Sequence, residues 1–418
     1  MQKNYKRLRL ACYMGNITMS AVSNLSPLLF LTFRTQYDIS YSLLGLLVLC
    51  NFFSQLTIDV IFSLFSHKFN IPRTVRLMPI LAIIGFTVFA LAPVLFPNTV
   101  YLGLAIGTVI FSVSSGLAEV LLSPIIAALP AEDPDREMSK LHSVYAWGVV
   151  GVVVFATLFL LLVGETSWQW LVAVVTLIPC ACAILFAGAE IPDMPKPDRA
   201  SVTFDFLKNK GVWVCVFAIF LAGAAECTMA QWASSYLEQA LGIDKVWGDI
   251  LGVALFGATL GLGRTLYTKI GKNIYRVLLF GVIGAFICYV LAALSPFPVV
   301  GLIGCAFTGL CVSMLWPGNL IVSAEKFPNG GVLMYALMAA GGDMGAALGP
   351  QLVGSITDLV IASKGGADLA LKLGLGIEQL GMKAGILAGS LFPLIAIPLY
   401  VWIYFKKKKK TITTLQSD

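Results

Sequence analysis

Two nine-residue stretches, "GLAEVLLSP" at residues 116–124 and "GLCVSMLWP" at residues 309–317, follow one frame of glycine, leucine and proline. They lie 193 residues apart in a chain of 418 residues, close to half of its length. The first stretch carries a lone carboxylate, Glu119, in apolar sequence, and the second has Val312 in that place. A frame that returns after half of the chain predicts an internal duplication.

The composition of the chain is strongly apolar. Hydrophobic residues make up 58% of it and charged residues 12%, against about 25% charged residues in ordinary soluble domains. The apolar runs are mostly about 20 residues or longer, the length that a helix needs to cross a hydrocarbon core of ~30 Å. No segment alternates in polarity as the strands of a membrane barrel do. We therefore predict an all-α membrane protein with twelve transmembrane helices, at residues 8–33, 41–66, 76–96, 99–128, 142–163, 167–188, 212–236, 248–268, 275–294, 298–323, 331–360 and 383–405.

The basic residues predict the orientation of these helices. With the N-terminus in the cytoplasm, 23 of the 28 Lys and Arg residues fall in cytoplasmic loops or tails. Loops enriched in Lys and Arg remain on the cytoplasmic side of a membrane. Both termini are therefore predicted to be cytoplasmic. The net charge of +6 is explained by this topology and predicts no nucleic-acid partner, while the run "FKKKKK" is expected to attract anionic lipid of the bilayer.

The twelve predicted helices divide into two halves around a polar, proline-containing segment. Further repeats support the division, because "NITMSAVS" at 16–23 matches "ECTMAQWA" at 226–233 and "SLLGLLV" at 42–48 matches "DILGVAL" at 249–255. Duplicated sets of six helices are one way in which transporters are built. The predicted domains are an N-terminal six-helix bundle (1–188), a cytoplasmic linker (189–211), a C-terminal six-helix bundle (212–405) and a basic cytoplasmic tail (406–418).

The chain resembles the major facilitator superfamily along nearly its whole length, and within it the fucose permease branch of sugar transporters. The resemblance is carried by Glu119 before Ser123-Pro124, by Glu226 with Tyr236 ten residues later, by Trp316-Pro317, and by the glycine-rich run "GGDMGAALGPQLVG". It implies two pseudo-symmetric bundles that alternate access to a central solute. The first helix departs from this branch, since it has Asn and Ser residues where fucose permeases carry an acid.

Glu119 is the first candidate for proton coupling. Ser112, Ser115, Glu119 and Ser123 are spaced by three or four residues and share one helix face. A charge in mid-bilayer costs about 2.5–3.5 kcal/mol on insertion scales, so such a residue faces water, is paired or is protonated. We predict that Glu119 carries a proton in the transport cycle. The alternative is that its neutral carboxyl packs against a neighbouring helix.

Glu226 is the second candidate for proton coupling, and its assignment comes from the family resemblance. Its helix face also carries Ala222 and Gly223, a pattern typical of a close helix contact, whereas Gln231 lies about 140° further round the helix. A straight helix cannot present both Glu226 and Gln231 to one cavity. Both roles for Glu226 therefore stay open.

Other charged residues are predicted to gate or to pack helices. Asp59 lies at the cytoplasmic end of its helix, and we predict that it pairs with Arg73 or Arg264 as a gate. Asp343 and Gly345 belong to a series of small residues at four-residue spacing, which is typical of close packing between membrane helices. We predict a packing role for both, and for the carboxylate of Asp343 a functional role stays open.

Sugar sites combine aromatic faces with amides and acids that bond hydroxyl groups. Each tryptophan taken alone is also compatible with a core or interfacial anchor. The candidates share helices that line the cavity in the fold that the resemblance implies. They are Asn24, Tyr145, Gln231, Trp232, Trp316 and Asn319.

Several enzyme signatures are missing from the sequence. No phosphate-binding loop, zinc-protease motif or cysteine–histidine cluster is found, so we predict no enzymatic activity, no cofactor and no metal site. We predict a secondary active transporter, a monomer in the cell membrane, that takes up a small polar solute such as a sugar with protons or sodium. Efflux of amphipathic compounds is the alternative within transport, and a receptor or scaffold that moves no ligand is the alternative outside it.

Overall fold

A computed structural model describes residues 5–65, 68–130, 134–192, 208–270, 273–327 and 331–417. Of the predicted linker 189–211, residues 193–207 lie outside this described part. The described residues form helices and their connections, with no strand among them. The fold class is therefore all-helical, as predicted.

The helices follow one another with short connections. In chain order they are α1 Lys6–Leu28, α2 Phe30–Tyr37, α3 Tyr41–Phe65, α4 Ile71–Ala90, α5 Ala92–Leu95, α6 Val100–Ala127, α7 Pro134–Val163, α8 Trp168–Val175, α9 Leu177–Ala187, α10 Lys210–Leu241, α11 Lys245–Trp247, α12 Leu255–Ile270, α13 Ile274–Leu294, α14 Pro298–Val312, α15 Leu315–Lys326, α16 Gly331–Ala362, α17 Lys364–Leu373, α18 Ile377–Gly389 and α19 Leu391–Ser417. A π-helical turn, Gly248–Ala254, joins α11 to α12, and a 3₁₀ turn, Glu165–Ser167, precedes α8.

Within the described residues, eleven helical segments are long and apolar enough to cross a membrane. The predicted span 8–33 is helical as α1 but is not among the eleven. Its buried polar residues explain the difference, because Asn16, Ser20 and Asn24 lower its hydropathy while facing the interior of the protein. At the other end, the last helix continues to Ser417, through the segment that was predicted as a tail.

The chain forms two compact units. The first comprises Met1–Ser201 together with Lys245–Gly257, and the second comprises Val202–Asp244 and Ala258–Asp418. The segment Lys245–Gly257 was predicted in the C-terminal half, but its contacts place it in the first unit. The cause is local: its π-helical turn packs against α7.

The core of the first unit is formed by apolar faces of α1, α6 and their neighbours. Leu117, Leu121 and Ile125 on α6 recur at four-residue spacing and are buried with Leu8 and Met78. This spacing places them on one helix face. Helix α6 packs against α3 and α4, while α1 packs against α7 and α9.

The second unit is organised around α10, which packs against α16 and α18. The contact with α16 is so close that glycines are required. A Cβ atom at Gly341 would lie 2.9 Å from the carbonyl oxygen of Val216, and one at Gly349 would lie 2.9 Å from that of Ala224. At Gly345 it would overlap the carbonyl oxygen of Phe220.

One local motif occurs once in each unit. Helix α4 begins after Asn70, whose side chain accepts a hydrogen bond of 3.1 Å from the backbone N–H of Arg73. Helix α13 begins after Asn273, whose side chain accepts 3.2 Å from the backbone N–H of Arg276. Asparagine is a favoured residue at this position because its oxygen pairs with an otherwise unbonded helix N–H. The same Asn-Ile-x-Arg start, 203 residues apart, is what a duplicated chain would retain.

Candidate functional site

A ladder of polar side chains joins α3 to α6 inside the first unit. The hydroxyl of Ser112 donates to the side-chain oxygen of Asn51 at 2.6 Å, and the amide of Gln55 donates to the same oxygen at 3.2 Å. The hydroxyl of Ser115 donates to the side-chain oxygen of Gln55 at 3.0 Å. All four residues are at most 5% exposed. Because each bond fixes the next acceptor, the ladder holds the two helices in one register.

The ladder leads to a pair of carboxylates. Asp59, one turn beyond Gln55 on α3, is 4% exposed, and Glu119, one turn beyond Ser115 on α6, is partly buried. A carboxylate oxygen of Asp59 lies within 4.8 Å of one of Glu119. Two ionised carboxylates so close repel each other, and a proton or cation held between them removes the repulsion. The arrangement suits a site that binds and releases a small cation.

Gly116, the first residue of the quoted stretch, allows α6 to approach α3 at this site. A Cβ atom at Gly116 would lie 3.1 Å from the Cα atom of Gln55 and 3.2 Å from its carbonyl oxygen. Contacts of that length are tighter than nine in ten that side chains make, so a larger residue would press α6 against α3. The glycine therefore sets the distance across which the ladder bonds.

The second candidate acid, Glu226, forms an ion pair inside the second unit. A guanidinium nitrogen of Arg264 on α12 lies 3.6 Å from its carboxylate oxygen. The same guanidinium donates through Nε to the carbonyl oxygen of Ser313 at 3.1 Å. Pro317 explains why this carbonyl is available, because proline has no N–H to donate to the residue four positions earlier in a helix. Arg264 thus ties α10 and α12 to the junction between α14 and α15.

The three residues predicted as a gate occupy different surroundings. Asp59 lies beside Glu119, as described above, and Arg264 lies beside Glu226. Arg73 is exposed in the first turn of α4. The gating role of these residues stays a prediction.

In two of the six predicted ligand residues, the side-chain donor groups form hydrogen bonds within the second unit. Trp232 is fully buried, and its indole N–H donates to the carbonyl oxygen of Pro350 at 2.9 Å. The amide of Asn319 donates to the hydroxyl of Tyr400 and to the carbonyl oxygen of Leu315, both at 2.6 Å. The polar groups of both side chains thus have partners within the second unit.

The other four predicted ligand residues differ in exposure and contacts. Asn24 donates to the carbonyl oxygen of Ser20 in its own helix at 2.9 Å, and Tyr145 is partly exposed. Gln231 is 5% exposed. Trp316 is partly exposed and lies over Gly342, where any Cβ atom would overlap its ring.

Asp343 and Gly345, predicted as packing residues, lie on α16. Asp343 is 4% exposed. Gly345 lies at the narrowest point of the α10–α16 contact, as described for the fold.

One polar cluster was missed by the sequence analysis. Asp249, in the π-helical turn, is fully buried and accepts a hydrogen bond of 3.0 Å from the hydroxyl of Thr157 on α7. Lys245 lies 3.7 Å from Asp249 and donates to the carbonyl oxygen of Leu28 at 2.8 Å. An acid four residues after a lysine at the start of an apolar segment was the available signal. Nothing in the sequence indicated that its partner would be Thr157, which is 92 residues away in the chain.

Comparisons with known proteins agree with this architecture. The Major Facilitator Superfamily model matches residues 11–350. A sequence search of curated proteins found no match.

Solved structures with the same fold cover nearly the whole chain. A bacterial homolog of the human lysosomal transporter Spinster, in an inward-facing and occupied conformation, has a TM-score of 0.73 at 14% identity and covers 97% of this chain and 98% of its own. A D-xylose-proton symporter has a TM-score of 0.70 at 18% identity, with coverage of 95% and 99%. The fucose:proton symporter FucP of E. coli has a TM-score of 0.62 at 13% identity, with coverage of 96% and 99%.

The predicted resemblance to this superfamily, with a fucose symporter among the structural neighbours, is confirmed. Identities this low establish the fold and leave the solute open. The chain belongs to the major facilitator superfamily and is a multi-pass membrane protein of that family of secondary transporters.

Proposed function

We propose that this protein takes up a small polar solute, such as a sugar, together with protons across the cell membrane. The observation that carries the proposal is the carboxylate pair of Asp59 and Glu119 at the end of a hydrogen-bonded ladder. A transporter without a nucleotide site must draw on a gradient, and this pair is a place where a cation can bind and leave. The titles of two structural neighbours, a D-xylose-proton and a fucose:proton symporter, support a sugar and a proton by analogy.

The proposed topology has twelve spanning helices with both termini in the cytoplasm. It counts α1 as the twelfth span, although its hydropathy is low, because its polar residues are buried in the first unit. The excess of Lys and Arg on the predicted cytoplasmic side supports the orientation. Alkaline phosphatase fused after Ser417 tests it: an inactive fusion supports a cytoplasmic C-terminus, and an active one contradicts it.

In the proposed cycle, Glu119 is the residue that gains and loses the proton. Asp59 supplies the neighbouring negative charge that favours proton uptake by the pair. The ladder through Ser115 and Gln55 keeps the two helices in register while the pair changes charge. We assign Glu226 a structural role, because its ion pair with Arg264 already compensates its charge.

We propose solute contacts in each unit, from Asn24 and Tyr145 in the first and from Gln231 and Trp316 in the second. The partly exposed ring of Trp316 offers a face to the C–H surface of a sugar, and the amides offer bonds to its hydroxyl groups. Trp232 and Asn319 are assigned to helix packing, since their polar groups bond to Pro350, Leu315 and Tyr400.

The test uses the purified protein in proteoliposomes with a panel of radiolabelled sugars and nucleosides. Uptake is measured under an inward proton gradient, an inward sodium gradient or neither, for the wild type, Glu119→Gln and Glu226→Gln. We expect one solute to accumulate under the proton gradient only. Glu119→Gln should abolish accumulation but keep the exchange of labelled for unlabelled solute, because exchange needs no net proton movement. Glu226→Gln is the matched control, and it should keep both solute accumulation and solute exchange.

The outcomes separate the alternatives. Accumulation under the sodium gradient alone would mean that sodium, and not the proton, is the coupling ion at these carboxylates. Proton-driven accumulation that survives in Glu119→Gln would remove Glu119 from the coupling role. No uptake of any polar solute, together with extrusion of an amphipathic dye, would replace uptake by efflux.

A further inference from the structure

The first unit has a surface groove whose lining includes neither Asp59 nor Glu119. It has a volume of about 720 Å³ and is lined by α1, α7, α8 and α9. Ligand sites of proteins commonly enclose about 300–1,000 Å³, so the space is large enough for a specific ligand. Because it opens to the surface of a membrane-spanning unit, its natural occupant is a component of the bilayer.

The walls of this groove are apolar and face outward. Trp147 on α7 is 73% exposed, and Phe155 on the same helix is 42% exposed. Val175, Ile178 and Ile17 of α1 also line the groove. Side chains of this kind suit a hydrocarbon chain and offer few partners to a sugar.

Gly151 leaves the middle of the groove open. A Cβ atom built at Gly151 would meet no atom within 4 Å. The next glycine on this helix differs, because a Cβ atom at Gly148 would lie 2.6 Å from the hydroxyl of Ser20 on α1. Gly148 therefore serves helix packing, whereas the absence of a side chain at Gly151 serves no contact inside the protein and keeps the groove accessible.

One end of the groove is charged. Lys140 and Ser143 line it near the start of α7, which follows a loop predicted on the cytoplasmic side. Gly151 lies eleven residues further, about 16 Å along the helix at ~1.5 Å per residue. That distance is close to the depth of one leaflet, half of the ~30 Å hydrocarbon core. A cation at the surface end and an apolar slot one leaflet deep match the two parts of a phospholipid.

We propose that this groove binds one anionic glycerophospholipid from the cytoplasmic leaflet. Lys140 pairs with its phosphate and Ser143 donates a hydrogen bond to its headgroup, while one acyl chain lies along Trp147, Gly151 and Phe155. Anionic lipid is concentrated in the cytoplasmic leaflet, which makes the charge at this end complementary. The inference rests on the proposed orientation of the helices and is independent of the proposed solute and coupling ion.

Native mass spectrometry of the purified full chain tests the site. Phosphatidylglycerol and phosphatidylcholine with identical acyl chains are added in equal amounts, and the lipids that stay bound are counted. The Cβ atom of Gly151→Leu would meet no atom within 4 Å, and its side chain should fill the groove, so the variant should lose the one tightly held lipid of either kind. Lys140→Gln should keep the lipid but lose the preference for phosphatidylglycerol by about fivefold, the effect of about one surface charge.

Two matched variants serve as controls. Gly261→Leu adds the same side chain at another helix position with no atom within 4 Å, and Lys210→Gln removes an exposed lysine at the start of α10. Both should retain wild-type lipid binding. Wild-type binding in Gly151→Leu, or an unchanged lipid preference in Lys140→Gln, would overturn the proposal. This assay measures lipid binding and not transport, so its result does not depend on the proposed solute or coupling ion.

Discussion

A carboxylate oxygen of Asp59 and one of Glu119 lie within 4.8 Å of each other, on two different helices of the first unit. When both are ionised, their repulsion opposes the packing of α3 against α6. We therefore expect Asp59→Asn and Glu119→Gln each to raise the melting temperature at pH 9, where carboxylates ionise most fully. At pH 5 the gain should be smaller, because protonation already relieves the repulsion. Thermal unfolding in detergent at the two pH values measures this.

The double variant Asp59→Asn with Glu119→Gln tests the contact between the two side chains directly. Once the first substitution has removed the repulsion between these two carboxylates, the second cannot remove it again. The two effects should therefore fall short of additivity, with a coupling of about 0.5–3 kcal/mol, as found for residues in contact. Additive gains, or equal gains at both pH values, would contradict the contact.

Ser115→Ala should weaken coupling as well as stability. It removes the hydrogen bond to Gln55 and leaves a buried amide oxygen without this donor, at a cost of about 1–3 kcal/mol. Ser114→Ala is the matched control, because its buried hydroxyl bonds the carbonyl oxygen of Met78 on α4, outside the ladder. Both variants should melt earlier, but only Ser115→Ala should lower solute accumulation relative to exchange. Equal accumulation in the two variants would show that the ladder does not affect coupling.

Arg264→Ala should destabilise the second unit. It leaves the Glu226 carboxylate and the Ser313 carbonyl oxygen without the guanidinium that bonds both. Because Arg264 is 37% exposed, water compensates part of the loss, and we expect about 1–3 kcal/mol. Lys407→Ala removes a more exposed ion pair with Glu325 and should cost less than about 1 kcal/mol. Unfolding in denaturant compares the two, and an equal loss would argue against the bridging role of Arg264.

Gly345→Ala should separate α10 from α16. Its Cβ atom would overlap the carbonyl oxygen of Phe220, and overpacking of this kind costs about 1–3 kcal/mol. Gly261→Ala makes the same change on α12 where no atom lies within 4 Å, and should stabilise by about 0.5–1 kcal/mol through helix propensity. Melting temperatures of the purified variants should therefore move in opposite directions. A Gly345→Ala variant as stable as wild type would show that the helices have room to adjust.

Thr157→Val should loosen the segment Lys245–Gly257. The substitution keeps the shape of the side chain but removes the hydroxyl that donates to the buried Asp249. We expect faster amide exchange in the π-helical turn Gly248–Ala254, measured by mass spectrometry. Thr176→Val, at the junction of α8 and α9, removes a hydroxyl that donates to the carbonyl oxygen of Val172 on α8, and it should leave the π-helical turn unchanged. No change with Thr157→Val would mean that this hydrogen bond does not hold the turn in place.

Much of the architecture followed from local properties of the sequence. Eleven of the twelve predicted spans correspond to apolar helices, because hydropathy over about 20 residues is what makes a segment able to cross a bilayer. Helix α1 has a lower hydropathy, since it carries polar residues. Those residues are tolerated because they are buried inside the protein. The family resemblance could also be read from the sequence, because the paired stretches around Glu119 and Trp316 retain their frame.

The partners of the charged residues were decided by the tertiary structure. Helical periodicity places Glu119 on a polar face but does not say which helix lies opposite, and only the packing of α6 on α3 brings Asp59 to it. In the same way, Arg264 lies beside Glu226, Trp232 and Asn319 bond within the second unit, and Asp249 meets Thr157. The sequence by itself determined which segments span the membrane and which faces are polar, since these depend on neighbours along the chain. Contacts between distant residues depend on how helices pack, and this packing determined which residues form the candidate site.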